Sequence, residues 1–200
     1  GLEGIDLMID SGKKSGFKSF FGAPSCVPAT NIERSGAVLS SKEIEKLINR
    51  EDIYLLSEMM NYPGMINKNE EVCKKIGLAL KAAKRIDGHA PGLSGEKLEM
   101  YCKAGITTDH ECSSLMEAKE KIENGMMIQI REGSAARNFS ELFPLILESP
   151  DKLMFCTDDI HPDDLALGHI NKMVKRAISK GADLFDALTI ASMNPVMHYK

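Results

Sequence analysis

Short apolar runs alternate along the chain with longer stretches that have helical periodicity. Six of the apolar runs have the length and composition of β-strands. The predicted strands are Phe17–Phe21, Ile53–Met60, Arg85–His89, Gly105–Asp109, Met126–Arg131 and Lys152–Thr157. The stretches with helical spacing predict the helices Ile5–Ser15, Ser41–Arg50, Glu70–Ala83, Ser94–Lys103, Ser113–Asn124, Ala136–Leu147, Asp163–Lys180 and Asp183–Met193.

Capping residues support several of these helices, because a Ser or Asp oxygen can accept the first free N–H groups of a helix. The capping pairs are Ser40 with Glu43, Ser94 with Glu96, Ser113 with Glu117, and Asp183 with Asp186. Strands that alternate with helices predict βα units and a parallel sheet. Six units are fewer than a closed (β/α)₈ barrel needs, so the count alone favours an open sheet.

Composition narrows the class of protein. The chain has 200 residues, 43% of them hydrophobic, which is enough for one ordinary domain or a large piece of a bigger protein. A net charge of -4 with interspersed signs argues against a nucleic-acid partner, and no apolar run is long enough to span a membrane. The five cysteines are scattered without a CxxC pair, and the segment GLEGIDLMIDSGKK lacks the basic and apolar regions of a signal peptide, so we expect a cytoplasmic protein.

Acid and imidazole side chains recur where predicted strands end. Glu58 closes one apolar run, His89 and His110 close two others, and Asp158 follows a fourth. In a parallel β/α fold the carboxyl ends of the strands share one face, and ligands bind there. Two imidazoles and two carboxylates suit a divalent metal such as Zn, Mn or Fe. The first hypothesis is therefore a metal-assisted hydrolase.

Each of these residues also has a simpler interpretation. His89 in DGHAPGLSG could be a turn histidine, although Gly88 and Gly92 allow a ligand to approach the backbone closely. Glu58 fits a surface position about as well as a metal site. In GITTDHE, Asp109 or Glu111 could cap a helix or could orient a ligating His110.

Three further segments carry candidate chemistry. Asp158 and Asp159 in MFCTDDIHPDD could bind metal and accept a proton from water, or could belong to a plain acidic loop. REGSAARN predicts a helix from Ser134 whose first N–H groups could hold an anion, with a cap and a salt bridge as the more economical interpretation. Cys26 in FGAPSCVPAT has no identifiable activating base, so it is as consistent with an inert thiol as with a reactive one.

Together these segments resemble the adenine deaminases of the amidohydrolase superfamily. The matching stretches, in order, are PSCVPAT, NIERSGAVL, EMMNYPG, DGHAPGLSG, GITTDHE, REGSAARN and CTDD, continued by GHIN and ASMNPV. The resemblance implies a partial (β/α)₈ TIM-type barrel in which the six predicted strands are barrel strands 3 to 8. It makes Glu58 the bridging acid of strand 4, His89 and His110 the ligands of strands 5 and 6, and Asp158 the ligand and base of strand 8.

The implied activity is metal-dependent hydrolytic deamination of adenine to hypoxanthine and ammonia, a reaction of purine salvage. Glu58 and Asp158 would be catalytic, and the metal would be Mn, Fe or Zn. Candidate contacts to the substrate are Glu33, Asp109, Glu132 and Asp159. We expect adenine as the small-molecule partner and a homo-oligomer, with no nucleic acid or membrane partner.

One departure from the family pattern matters. The family's strand 1 carries a His-x-His pair, whereas the only histidines here are His89, His110, His161, His169 and His198. We therefore expect residues 1–200 to be an incomplete catalytic barrel, without strands 1 and 2 or the β-sandwich domain, and inactive by itself.

Three alternatives remain open. The intact enzyme could act on a cyclic amide or a different amino-heterocycle. The chain could instead be a non-catalytic unit that self-associates through unpaired sheet edges. An unrelated open α/β binding domain would place His89, His110 and Asp158 far apart.

Overall fold

The computed structural model describes residues 1–30 and 32–200. Its strands are β1 (Phe21–Ala23), β2 (Ile53–Met59), β3 (Arg85–Gly88), β4 (Thr108–Asp109), β5 (Met127–Arg131) and β6 (Leu153–Cys156). Its α-helices are α1 (Leu2–Lys14), α2 (Ser41–Ile48), α3 (Tyr62–Ile66), α4 (Glu70–Lys81), α5 (Gly95–Lys103), α6 (Leu115–Glu123), α7 (Phe139–Glu148), α8 (Pro162–Leu167), α9 (Ile170–Ser179), α10 (Leu184–Leu188) and α11 (Asn194–Tyr199). A 3₁₀ turn spans Pro150–Lys152, and a π-helical turn spans Thr189–Met193.

The chain folds into two compact units. The first unit comprises Gly1–His89 and Met100–Thr107, and it contains a parallel sheet with the strand order β1-β2-β3. The second unit comprises Ala90–Glu99 and Thr108–Lys200, and it contains a parallel sheet with the order β4-β5-β6. The predicted α/β class with parallel strands is therefore confirmed.

In the first unit, α2 and α4 pack against each other and against the sheet. The apolar residues Ile44 and Leu47 of α2 and Leu56 of β2 are almost fully buried, as amphipathic periodicity requires. The predicted cap of α2 is confirmed, because the Ser40 N–H donates to the Glu43 carboxylate at 2.9 Å. Such a reciprocal cap fixes where the helix begins.

In the second unit, β5 and β6 supply the centre of the core. Ile128 and Ile130 of β5 are fully buried, and Phe155 of β6 packs beside them. The Phe139 ring of α7 stacks on Phe155 with ring centroids 6.1 Å apart, so the helix that follows β5 closes over both strands. None of the described helices has the length and apolarity to cross a membrane.

Several predicted boundaries are wrong. The strand predicted at Phe17–Phe21 begins at Phe21 instead, because Phe17 is 82% exposed and does not join the core. The helix predicted over Asp163–Lys180 is two helices, since Gly168 adopts a φ of 138° that continues no helix.

Two helix starts also differ from the prediction. Helix α7 begins at Phe139 rather than near Ser134, and α6 is capped by Ser114 rather than Ser113. The matching stretch NIERSGAVL begins at Asn31, which lies outside the described residues.

Candidate metal centre

In the first unit, Glu58 and His89 come together at the carboxyl ends of neighbouring strands. Glu58 lies on β2 and His89 directly follows β3, and the register pairs Met59 with Gly88. The His89 Nδ1 lies 3.1 Å from the Glu58 Oε2. The side chains are 26% and 36% exposed respectively, so both are within reach of a ligand. An imidazole and a carboxylate at this separation fit a divalent cation.

A buried tyrosine holds the backbone beneath this pair. The Tyr101 hydroxyl accepts the His89 N–H at 3.0 Å and donates to the Met59 carbonyl at 2.9 Å, and Tyr101 is fully buried. One hydroxyl therefore joins the ends of β2 and β3. Sequence reasoning missed Tyr101, because a tyrosine on an amphipathic helix gives no signal beyond its contribution to the core.

In the second unit, His110 and Asp158 lie near each other, together with Glu111. His110 follows β4, and Asp158 comes two residues after β6. The ligand atoms of His110, Glu111 and Asp158 all lie within 4.8 Å of one another. Glu111 was predicted only as a cap or an orienting group, so its position beside His110, at 3.4 Å from the imidazole Nε2, is a new feature.

Arg131 neutralises the two carboxylates of this group. It ends β5, and its guanidinium donates to the Asp158 carboxylate at 2.6 Å and to Glu111 Oε2 at 2.9 Å. Burial opposes the charge on Arg131, but the two carboxylates outweigh burial and raise the pKa of the guanidinium. The salt-bridge interpretation of REGSAARN is therefore confirmed for its first residue.

The loops after β5 and β6 approach each other closely at one glycine. A Cβ added to Gly133 would lie 2.5 Å from the Thr157 carbonyl oxygen and 2.7 Å from the Asp159 carbonyl oxygen. The backbone of Asp158 itself is left-handed, with a φ of 56°, a conformation that Asp and Asn tolerate better than most residues. Backbone geometry, as well as chemistry, thus constrains the segment that carries Asp158.

The residues predicted to contact substrate have different surroundings. The Glu33 carboxylate accepts the Thr30 hydroxyl at 3.0 Å in an exposed loop of the first unit. In the second unit, Asp159 is exposed, and Glu132 pairs with Arg176 at 2.8 Å. Glu132 and Arg176 line a cavity of about 350 Å³ beside the ends of β5 and β6.

Asp109 differs from the other three because it is fully buried. Burial acts against its charge, but the adjacent Lys121 ammonium outweighs burial and holds the pKa of Asp109 below its usual range. This position favours the alternative in which Asp109 orients the segment around His110.

The Cys26 thiol of the first unit lies 3.8 Å from the Met59 sulfur.

Comparison with known proteins identifies the family. The sequence profile of the amidohydrolase family matches residues 2–200. The chain belongs to the amidohydrolase family. Amidohydrolases typically depend on divalent metals, and each unit of this amidohydrolase contains strand-end imidazole and carboxylate groups that could hold such an ion.

Similar proteins include adenine deaminases from bacteria and archaea. The chain is 53% identical over 200 residues to the adenine deaminase of Parabacteroides distasonis, covering 100% of this amidohydrolase chain and 37% of that protein. It is 54% identical over 199 residues to the enzyme of Salinibacter ruber and 54% identical over 200 residues to that of Methanosarcina mazei, covering 100% of this chain and 36% of each relative. The chain therefore spans a little over a third of the length of these curated relatives.

Proposed function

We propose that the complete protein hydrolyses adenine to hypoxanthine and ammonia. The observation that carries this proposal is the identity of 53–55% to adenine deaminases along the entire 200-residue chain. The matched region covers the segments in which the candidate site residues occur. The proposal extends to the regions outside these 200 residues, which in the relatives make up most of the length.

The proposed metal ligands are Glu58, His89, His110 and Asp158, and the proposed ion is Mn, Fe or Zn. In the family resemblance these residues belong to barrel strands 4, 5, 6 and 8. Support comes from each unit separately, because each residue lies on its strand or just past the strand's carboxyl end. The short Glu58–His89 distance and the grouping of His110 with Asp158 suit this donor set.

The chemistry requires a proton acceptor beside the attacking water. A divalent ion, when bound, lowers the pKa of its coordinated water and so favours attack on purine C6. Asp158 would accept the proton of that water and return it to the departing amino group, which leaves as ammonia. Arg131, which donates to Asp158 at 2.6 Å, would orient this carboxylate beside the reacting water.

The test uses protein expressed from its full reading frame in medium supplemented with manganese, iron or zinc. We expect bound metal, and stoichiometric release of hypoxanthine and ammonia from adenine. His89→Ala and His110→Ala should lose both metal and turnover, whereas the exposed His161→Ala should keep both. Bound metal with no turnover of adenine, but with turnover of a cyclic amide or another amino-heterocycle, would overturn the substrate assignment.

The proposal includes the cellular compartment and the oligomeric state of the protein. All five cysteines are free thiols, which suits a reducing compartment such as the cytoplasm. The protein is further proposed to act as a homo-oligomer without nucleic acid or membrane partners. Light scattering of the protein from its full reading frame tests the oligomer, and a monomeric mass would contradict it.

A further inference from the structure

A lysine with a fully buried side chain lies next to the proposed histidine segments. Lys121 of α6 has no solvent exposure, and its ammonium donates three hydrogen bonds. The acceptors are the Ala90 carbonyl at 2.7 Å, the Asp109 Oδ2 at 3.0 Å and the Glu117 Oε1 at 2.7 Å. An ammonium has three donors, so its hydrogen-bonding capacity is fully used inside the protein.

Asp109 connects this lysine to the backbone next to both histidines. Its Oδ1 accepts the N–H of Ala90 at 2.8 Å, and Ala90 directly follows His89 in the chain. Its Oδ2 accepts the N–H of Glu111 at 2.9 Å, and Glu111 directly follows His110. One buried carboxylate therefore binds the residue after each proposed histidine ligand.

Glu117 extends the same network to the DGHAPGLSG segment. Its carboxylate accepts the N–H of Gly92 at 2.8 Å and the N–H of Ser113 at 3.0 Å while it also receives Lys121. Both residues lie three positions beyond a proposed histidine ligand. The network thus fixes two loops at two points each.

A purely stabilising role is a poor explanation for such a network. Burying charges costs solvation free energy that their attraction often only just recovers, and apolar replacements of similar volume can be equally stable. A directional network is useful where backbone position must be held accurately. The residues held here are those that flank proposed metal ligands, where outer hydrogen bonds orient the ligands themselves.

We propose that Lys121 and Asp109 are positioning residues that set the placement of His89 and His110 for metal binding. This inference rests on the proposed function, since it needs both histidines to be ligands. It concerns the backbone of the two ligand segments. Neither Lys121 nor Asp109 is required to touch metal or substrate.

The test compares Lys121→Met with Lys84→Met in protein from the full reading frame. Lys84 is the matched control, because its ammonium also donates to main-chain carbonyls, those of Arg50 and Ile53, at the amino end of the first unit's sheet. Metal affinity is measured by chelator competition well below the melting temperature. The visible spectrum of cobalt-loaded protein reports ligand geometry.

We expect Lys121→Met to weaken metal binding about tenfold or more and to shift the cobalt spectrum. Lys84→Met should lower the melting temperature while leaving both metal readouts unchanged. If Lys121→Met folds poorly, the double variant Lys121→Met/Asp109→Asn removes the charge of the fully buried carboxylate, one of the two that Lys121 pairs with, and should still weaken metal binding. Unchanged metal affinity in the folded variants overturns the positioning role.

Assays of the unmodified protein separate this inference from the proposed function. An unmodified protein that binds metal but leaves adenine untouched overturns the deaminase assignment alone, because the affinity comparison does not use substrate. An unmodified protein that binds no metal overturns both proposals.

Discussion

The two units place their lysines at opposite ends of their sheets. In the first unit, Lys84 directly precedes β3, and its ammonium donates to carbonyls at and just before the start of β2. In the second unit, Lys121 acts beyond the carboxyl ends, where it meets the carboxylate of Asp109 and the carbonyl of Ala90. Both lysines hydrogen-bond to neighbouring chain segments, but Lys84 does so at the amino ends of the strands and Lys121 at the carboxyl ends.

The electrostatic surroundings of the two lysines differ accordingly. Burial lowers the pKa of Lys84, whose ammonium donates to the neutral carbonyls of Arg50 and Ile53, and the charge of Asp52 offsets burial only in part. Burial also acts on Lys121, but the carboxylates of Asp109 and Glu117 outweigh it and raise its pKa. In β/α folds the amino ends of the strands serve stability and the carboxyl ends carry the site. The comparison suggests that charge is fully buried where a functional segment must be held.

Asp158→Asn should have the largest effect, and it acts on the second unit alone. Asn keeps the shape of the side chain and tolerates the left-handed backbone, but it cannot accept a proton from water. We expect kcat for adenine to fall about a thousandfold. The melting temperature should change little, and steady-state kinetics with calorimetry measure both. Near-normal turnover would remove Asp158 from the reaction.

Lys121→Met and Lys84→Met test the comparison through stability. The first variant leaves Asp109 without its buried counter-charge and should cost about 3–5 kcal/mol of unfolding free energy. The second removes hydrogen bonds to neutral carbonyls and should cost about 1–2 kcal/mol. Urea denaturation of both variants measures the difference. Equal losses of unfolding free energy would mean that the two lysines contribute equally to stability, and the contrast between the two units would be wrong.

Tyr101→Phe tests how much the hydroxyl that joins the ends of β2 and β3 stabilises the first unit. The change removes the hydroxyl shared by the His89 N–H and the Met59 carbonyl, and it should cost about 2 kcal/mol because both groups are buried. Tyr54→Phe is the matched control, since Tyr54 is 43% exposed and should lose almost nothing. Denaturation curves provide the measurement. A neutral Tyr101→Phe would indicate that water replaces the hydroxyl.

Asp52→Asn should have the smallest effect, at a partly exposed ion pair with Arg50 in the first unit. The hydrogen bond from Arg50 holds the pKa of Asp52 at about 2 in the folded protein, below the value of about 3.9 for an unfolded chain. The stability from this pair is therefore present above about pH 3.9 and is lost as the pH falls towards 2.

The carboxylate is 32% exposed, so water screens the pair and its contribution is at most about 1 kcal/mol. Acid titration of the unfolding free energy should give a shallower fall between pH 4 and 2 for Asp52→Asn than for the unmodified protein. Parallel curves would show that Arg50 does not favour the ionised carboxylate.

The sequence was sufficient for the class of fold and for the strand-end residues. Glu58, His89 and His110 all lie where the apolar runs place them, because a strand's carboxyl end can be read from where its hydrophobic run stops. The strand predicted at Phe17–Phe21 is misplaced because aromatic residues have high strand propensity even when they are exposed, as Phe17 is. Strand propensity alone does not indicate whether a residue is buried.

The supporting residues could not be predicted in this way. Lys121 is a polar residue on an amphipathic helix, where a lysine ordinarily faces water, and its burial depends on Asp109 and Ala90, which are distant in sequence. The sequence around Tyr101 predicts an ordinary core residue, and it does not indicate that the Tyr101 hydroxyl bridges two strand ends. Long-range hydrogen bonds are set by the tertiary fold.

Gly133 limits how this protein can be re-engineered. Because any side chain at that position would collide with the carbonyls of Thr157 and Asp159, a saturation library there should yield only glycine among its active clones. A campaign to broaden the proposed substrate range should leave position 133 unchanged. Diversity is better placed at the exposed neighbour Ala135, whereas the Arg137 side chain donates to the Gly133 carbonyl at 2.8 Å and should be kept.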